Sequence, residues 1–169
     1  HYSKMQDIFA RAAAMDEEPF IVILDEITDP HNVGAIIRSA ECMGAHGIII
    51  PNRRACGLTS TVAKSAAGAI EQIPVVRVTN IGRTIEDLQA RGIWIAACDM
   101  DGEAYYSAAG LNGAVAIVIG NEGRGIGKLV REKCDFVVSI PMKGKINSLN
   151  ASNAAAIVLA EIRRRRECR

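Results

Sequence analysis

Three short segments of this sequence gather residue types that could do chemistry. The first is Asp29-Pro-His-Asn-Val-Gly-Ala-Ile-Ile-Arg-Ser-Ala40, where Arg38 stands among Ile36, Ile37 and Ala40. Asn32 reads as the N-cap of a helix that Val33 begins and Gly44 stops. An arginine in such a stretch either snorkels to water or holds a partner or ligand, because burying an unpaired guanidinium is costly. The second is Ala116-Ile-Val-Ile-Gly-Asn-Glu-Gly-Arg-Gly-Ile-Gly127, an apolar run leading into a loop with glycines at 120, 123, 125 and 127 and one carboxylate, Glu122. A loop of this kind either brings backbone N–H groups close to a ligand or is simply a tight turn. The third is Ser139-Ile-Pro-Met-Lys-Gly-Lys-Ile-Asn-Ser-Leu-Asn-Ala-Ser152, in which Asn147, Ser148, Asn150 and Ser152 cluster beside Lys143 and Lys145. A helix cap alone needs fewer polar groups than this segment supplies.

Two nucleotide motifs fail against the glycine loop. In the phosphate-loop pattern Gly-x-x-x-x-Gly-Lys-Ser/Thr, Glu122 stands where the first glycine belongs and Leu129 replaces the hydroxyl residue. The dinucleotide fingerprint fails on spacing at Gly123, Gly125 and Gly127, which speaks against a dinucleotide-dependent oxidoreductase. The five cysteines (42, 56, 98, 134 and 168) form no Cys-x-x-Cys pair, and His1, His31 and His46 are not spaced as ligands, so no metal is expected. An odd number of unpaired cysteines suits a reducing, cytoplasmic setting.

Strands and helices must alternate to position these segments. Apolar, β-branched runs predict strands at Phe20–Asp25, Gly47–Pro51, Val75–Val78, Ile93–Asp99, Ala114–Gly120 and Phe136–Pro141. Their hydrophobicity is continuous, as in strands covered on both faces. Helical patterns fall at Val33–Met43, Thr59–Ala66, Ile81–Arg91, Gly125–Lys133 and Asn150–Arg166, after a leading helix at Ser3–Met15. The expected fold class is α/β, with a mostly parallel sheet and helices on both faces. On the last helix Ala151, Ala154, Ala155, Val158, Leu159 and Ile162 share a face suited to packing on the sheet, or alternatively to a subunit interface. Arg163–Arg166 reads as a solvated cationic end that complements the helix dipole, with RNA contact as the sharper alternative.

Composition bounds the reading. The 169 residues fit one domain, with residues 1–18 as a leading helix or linker and 19–169 as the functional unit. Apolar residues make up 49%, enough for a core, but the longest apolar runs are too short to span a bilayer as a helix. Aromatic residues are only 4%, which argues against a broad base-stacking platform. A net charge of +1 leaves any nucleic-acid attraction to a local patch, for which Arg53, Arg54 and Lys64 are candidates.

Together, Asn32-x-Gly-Ala-x-x-Arg38-Ser-Ala, Ile119-Gly-Asn-Glu122-Gly-x-Gly and Ile140-Pro-Met…Ser148-Leu-Asn150-Ala-Ser152 resemble the three ordered motifs of the SpoU/TrmH family. These are RNA 2′-O-ribose methyltransferases of the SPOUT superfamily. The resemblance runs from Phe20 to Arg164 and is strongest to the RlmB type, which acts on a guanosine of large-subunit (23S) ribosomal RNA. A transfer RNA ribose methyltransferase, or a non-catalytic RNA-binding module of the same fold, is the alternative. The family pattern often has Val where Ala151 stands, a small apolar change.

The resemblance implies a C-terminal deep trefoil knot, a homodimer packed through the knot and last helix, and S-adenosylmethionine as methyl donor. It also implies an N-terminal RNA-binding domain outside this chain, which begins at His1. Carried over, Ile119, Gly120, Asn121, Ile140, Met142, Leu149 and Asn150 would line the donor pocket. Arg38, Asn32, Glu122, Ser148 and Asn150 would form the catalytic group, with Glu122 orienting Arg38 or holding a loop amide. Arg38, Lys143 and Lys145 would meet RNA; Arg53 and Arg54 read either as further RNA-backbone contacts or as solvated loop charges.

Overall fold

The computed structural model describes residues 1–168; residue 169, the last of the expected functional unit, lies outside them. The chain runs α1 (Met5–Ala14), β1 (Phe20–Asp25), α2 (Pro30–Cys42), β2 (Gly47–Pro51), α3 (Ser60–Ala66), β3 (Val75–Val78), α4 (Ile81–Ala90), β4 (Trp94–Ala104), β5 (Val115–Gly120), α5 (Lys128–Lys133), β6 (Phe136–Ser139) and α6 (Ala151–Glu167). One six-stranded sheet has the order β3-β2-β1-β5-β4-β6. Every pairing within it is parallel.

The continuous apolar runs are explained by burial on both sides. In β1, Phe20, Val22 and Leu24 face one core with residues of α2, α3 and α6, while Ile21 and Ile23 face another with residues of α1 and α4. The same alternation repeats in β2 and β5. Each fully buried isoleucine or leucine contributes about 2 kcal/mol of hydrophobic stabilisation. In α1, Ile8 is fully buried in the second of these cores, so the leading helix is part of the packed body.

Several local boundaries differ from the sequence reading. The N-cap of α2 is Asp29, not Asn32: its carboxylate accepts the His31 N–H at 2.8 Å, and Pro30 fills the first helical position. Proline there gives up an N–H that no helical carbonyl would have accepted. Asn32 thus lies in the first turn and is buried. Gly44, at φ +83°, does stop the helix. Gly34 packs where a Cβ would lie 2.3 Å from the Ser65 Cβ, so the helix pair α2–α3 needs a glycine there.

β4 continues past its expected end at Asp99. After a register shift between Cys98 and Glu103 it pairs again with β6, Glu103 with Val138 and Ala104 with Ser139. Main-chain pairing rather than apolar character extends it, and residues 99–102 bulge out of the sheet. α5 starts at Lys128, later than expected, because Asn121 and Gly125 close the preceding loop with reciprocal backbone hydrogen bonds of 2.9 and 2.8 Å.

On α6, Ala155, Val158, Leu159 and Ile162 are fully buried, the packing on the molecule's own core that the small-residue face allowed. Its arginines are not simply a solvated cationic end. Arg164 and Arg165 both bind the Glu161 carboxylate, and Arg165 also donates to the carbonyls of Tyr105 and Ala108 in the β4–β5 connection. Arg166 donates to the carbonyls of Glu18, Pro19 and Gly113. The final helix is thereby fastened to the β4–β5 connection and to the residues that lead into β1, and β6 lies outside β4 at the edge of the sheet.

Candidate functional site

The carboxyl ends of β4, β5 and β6 open onto a cavity of about 590 Å³. In parallel sheets the loops leaving these ends diverge and leave a crevice. One wall is the glycine loop, Ile119 to Gly125; a second is the β4 bulge, Cys98 to Asp101; a third comes from Ser139, Ile140, Met142, Asn147, Ser148, Leu149, Ala151 and Ala154. The second and third sequence segments therefore meet in space.

The glycine loop is shaped by close approach. A Cβ on Gly120 would sit 2.3 Å from the Gly125 carbonyl carbon and the Ile126 nitrogen, both main-chain atoms that cannot swing aside. Gly125 adopts φ +72°, which favours glycine. The Asn121 side chain fixes the loop: Oδ1 accepts the N–H groups of Gly123 and Arg124 at 2.9 and 3.1 Å, while Nδ2 donates to the Glu26 carbonyl at 2.7 Å. Beyond it, the buried Asp25 accepts the Gly127 N–H at 2.8 Å. Burial raises the Asp25 pKa, partly offset by that hydrogen bond.

Glu122 joins this loop to the first segment. Its carboxylate accepts the Asp29 N–H at 2.8 Å, the Thr28 N–H at 3.4 Å and the Asn32 Nδ2 at 3.5 Å. Of the two roles expected for it, the structure contains the hold on loop amides. Arg38 projects from α2 as an exposed side chain, with Ile36, Ile37 and Ala40 fully buried on the other side of the helix. It has no hydrogen bond or ion pair among the described residues and is not part of the cavity wall.

The bulge wall is pinned from both ends. Arg131 pairs with Asp99 at 3.3 Å and donates to the Met100 carbonyl, and the Ser139 hydroxyl donates to the Gly102 carbonyl at 2.8 Å. Burial, followed by the charge of Asp99, pushes the Cys98 thiol up to about 11, so it stays protonated near neutrality and is a poor nucleophile.

Asn150 is not on the cavity wall; it caps α6, accepting the N–H and the hydroxyl of Ser152 at 2.9 and 2.6 Å. Lys143 and Lys145 lie in an exposed stretch, residues 141–150, and are not on the cavity wall. Arg53 and Arg54 are exposed in the turn after β2, and Arg54 approaches Glu26 to 3.8 Å. The residues that sequence reasoning passed over are Asp25, Glu26, Asp99, Met100, Asp101 and Arg124. Several of them stand where an apolar strand ends in an acid, the one signal that could have singled them out. Among the described residues, no group of three or more His, Cys, Asp or Glu side chains is placed to hold a metal ion, and no helix is long and apolar enough to cross a membrane.

Comparison with known proteins gives a consistent picture. Residues 19–160 match the SpoU rRNA Methylase family. YacO of Bacillus subtilis (strain 168), placed in the TrmH family of tRNA/rRNA methyltransferases, is 51% identical over 165 residues, covering 98% of this chain and 66% of YacO. The crystal structure of the SpoU methyltransferase AviRb from Streptomyces viridochromogenes, in complex with the cofactor AdoMet, superimposes with a TM-score of 0.88 at 32% identity, covering 100% of this chain and 67% of that one. An AdoMet-bound rRNA methyltransferase from Sinorhizobium meliloti follows at 0.85 and 29%, covering 97% and 61%. The chain thus spans about two thirds of the length of these proteins.

Proposed function

Because the chain belongs to the SpoU rRNA Methylase family, we propose that it transfers a methyl group from S-adenosylmethionine to a ribose 2′-hydroxyl of RNA. The observation that carries this reading is the cavity at the carboxyl ends of β4, β5 and β6, tied through Glu122 to the loop that starts the Arg38 helix. The residues present fit the donor. Glycines leave main-chain groups of the loop open to a ligand, while Ile119, Ile140, Met142 and Leu149 offer apolar surface for a purine ring. Bound S-adenosylmethionine would supply an electrophilic sulfonium methyl: the 2′-oxygen takes the methyl as the S–CH3 bond breaks, S-adenosylhomocysteine leaves, and the hydroxyl proton passes to the substrate's neighbouring phosphate or to water.

The chain's own residues account for the rest. Ile119, Gly120, Asn121, Ile140, Met142, Leu149 and Ser148 form the receiving surface, and Asn150 fixes the start of α6 behind them. Arg38 remains charged, since a guanidinium rarely gives up its proton. We assign it the grip on the neighbouring phosphate and the stabilisation of negative charge developing on the 2′-oxygen. Glu122 holds the loop bearing Asp29, and Asn32 sits against the same carboxylate, so together they set the position from which Arg38 projects. Cys98, held as a thiol, leaves the transfer to run directly between donor and acceptor.

Within this reading the substrate is a guanosine of 23S ribosomal RNA, with transfer RNA as the competing target, and the working form is a cytoplasmic homodimer that packs through α6. Isothermal titration with S-adenosylmethionine and, separately, with NAD tests the cavity. Binding of the methyl donor alone supports the reading; binding of NAD alone overturns it. Transfer of labelled methyl groups to 23S RNA but not to transfer RNA then supports the finer assignment, and the opposite preference replaces it.

A further inference from the structure

Glu26 follows the last residue of β1 in a left-handed conformation, φ 58°, rare for a side chain larger than asparagine. Its carboxylate lies between two arginines from different parts of the chain. Arg124, on the glycine loop, pairs with Oε2 at 3.1 Å, and Arg54, in the turn after β2, approaches Oε1 at 3.8 Å. Arg54 is itself left-handed, at φ 52°. Both guanidinium groups are mostly exposed, 64% for Arg124 and 71% for Arg54, whereas Glu26 is 32% exposed. The Glu26 main chain is held from behind, since the Asn121 side chain donates to its backbone carbonyl. Arg124 also lines the cavity assigned to the methyl donor.

We infer that Arg54 and Arg124 form a seat for an RNA phosphodiester beside the donor cavity, and that the Glu26 carboxylate is a built-in counter-ion occupying that seat until RNA displaces it. The inference rests on the RNA-methyltransferase reading above and adds to it a site that the motifs do not contain. A phosphodiester offers two anionic oxygens to two guanidinium groups, as the carboxylate does, and arginine is the side chain best matched to either. Exposed ion pairs of this kind contribute little to stability, so the exchange has a low cost. With a chain charge of only +1, RNA attraction has to come from a local seat of this sort. The single Glu26 carboxylate offsets one of the two positive charges, which weakens the hold on other anions in the absence of RNA.

The test measures the binding of purified bacterial ribosomal RNA by the S-adenosylmethionine-saturated protein over a range of salt concentrations, because phosphate contacts are independent of sequence and release counter-ions. Arg124→Gln and Arg54→Gln are each expected to weaken RNA binding severalfold and to reduce the slope of log K against log salt by about 1; for Arg54, which is not on the cavity wall, donor affinity is expected to be unchanged. Glu26→Gln is expected to tighten RNA binding severalfold, an effect that a misfolded variant cannot imitate. Unchanged RNA affinity and salt slope in both arginine variants, or weaker RNA binding by Glu26→Gln, would overturn the inference while leaving the methyltransferase reading intact. Loss of donor affinity alone in Arg124→Gln would instead assign that arginine to the carboxylate of the methyl donor. A wild-type protein that binds the donor but no RNA would overturn both.

Discussion

The Glu122 carboxylate accepts the Asp29 backbone N–H at 2.8 Å, joining positions 93 residues apart in sequence. Asp29 is in turn the N-cap of α2, so one side chain couples the glycine loop to the start of the helix that carries Arg38. A shift of the loop and a shift of that helix are thereby a single movement.

Glu122→Ala removes this coupling. A hydrogen bond to a charged acceptor contributes about 1.5–3 kcal/mol, so methyl transfer should fall by roughly one to two orders of magnitude, more than donor affinity does. Steady-state rates alongside titration calorimetry separate the two quantities; equal losses in both would reassign Glu122 to donor binding.

Arg38→Ala should abolish detectable methyl transfer, a loss of at least about a hundredfold, with donor affinity within a few fold of wild type. Arg38 is exposed and bound to nothing within the described chain, so the thermal midpoint should barely move. A fully active variant would remove the arginine from the chemistry.

Gly120→Ala places a methyl group against the main chain of Gly125 and Ile126. Forced overpacking costs about 1–3 kcal/mol, and the loop can relieve it only by opening. Donor affinity should drop about tenfold or more, as read by calorimetry. An alanine variant binding normally would show that the loop moves freely.

How far the sequence foretold this site depends on the range of the forces involved. β1, β2 and β3 have the boundaries read from their apolar runs, since strands covered on both faces announce themselves by composition. The extension of β4 through Glu103 was hidden, because it rests on pairing with β6 rather than on local character. Asn32 has the residue type of a cap, but Asp29-Pro30 carries the stronger local signal and caps the helix. Arg165 and Arg166 could not have been placed: the carbonyls they bind lie 53 to 148 residues away, and nothing in a run of arginines says which oxygens it will find. The three motifs were legible as motifs; that Glu122 holds the first of them by its backbone was legible only in space.

His46 gives a pH dependence whose sign follows from geometry. It is fully buried, its Nδ1 accepts the Phe20 N–H at 3.0 Å, and its Nε2 faces Glu17 at 3.0 Å, so the hydrogen-bond network assigns the ring proton to Nε2 in a neutral ring. Burial lowers its pKa below the ordinary 6.5, although Glu17 opposes the shift. The unfolded chain therefore binds a proton that the folded one resists. This contribution to stability is complete above about pH 6.5 and is lost as the pH falls from there toward the folded-state value, at no more than about 1.4 kcal/mol per pH unit. Urea midpoints should decrease between about pH 7.5 and 5.5 in the wild type and change less in His46→Gln. Parallel profiles would show that other groups carry the dependence.

The cavity takes one of its walls from residues 139–154, which lie near the end of the chain described here. A ribosome makes this protein from the other end, so the glycine loop and the β4 bulge emerge while the third wall is still unwritten. Half of the pocket is not a weaker version of the whole, because Met142, Ser148 and Leu149 supply part of its lining. The cavity therefore has no complete precursor during synthesis. The cavity is complete only when α6 is seated and its arginines close on carbonyls laid down long before them.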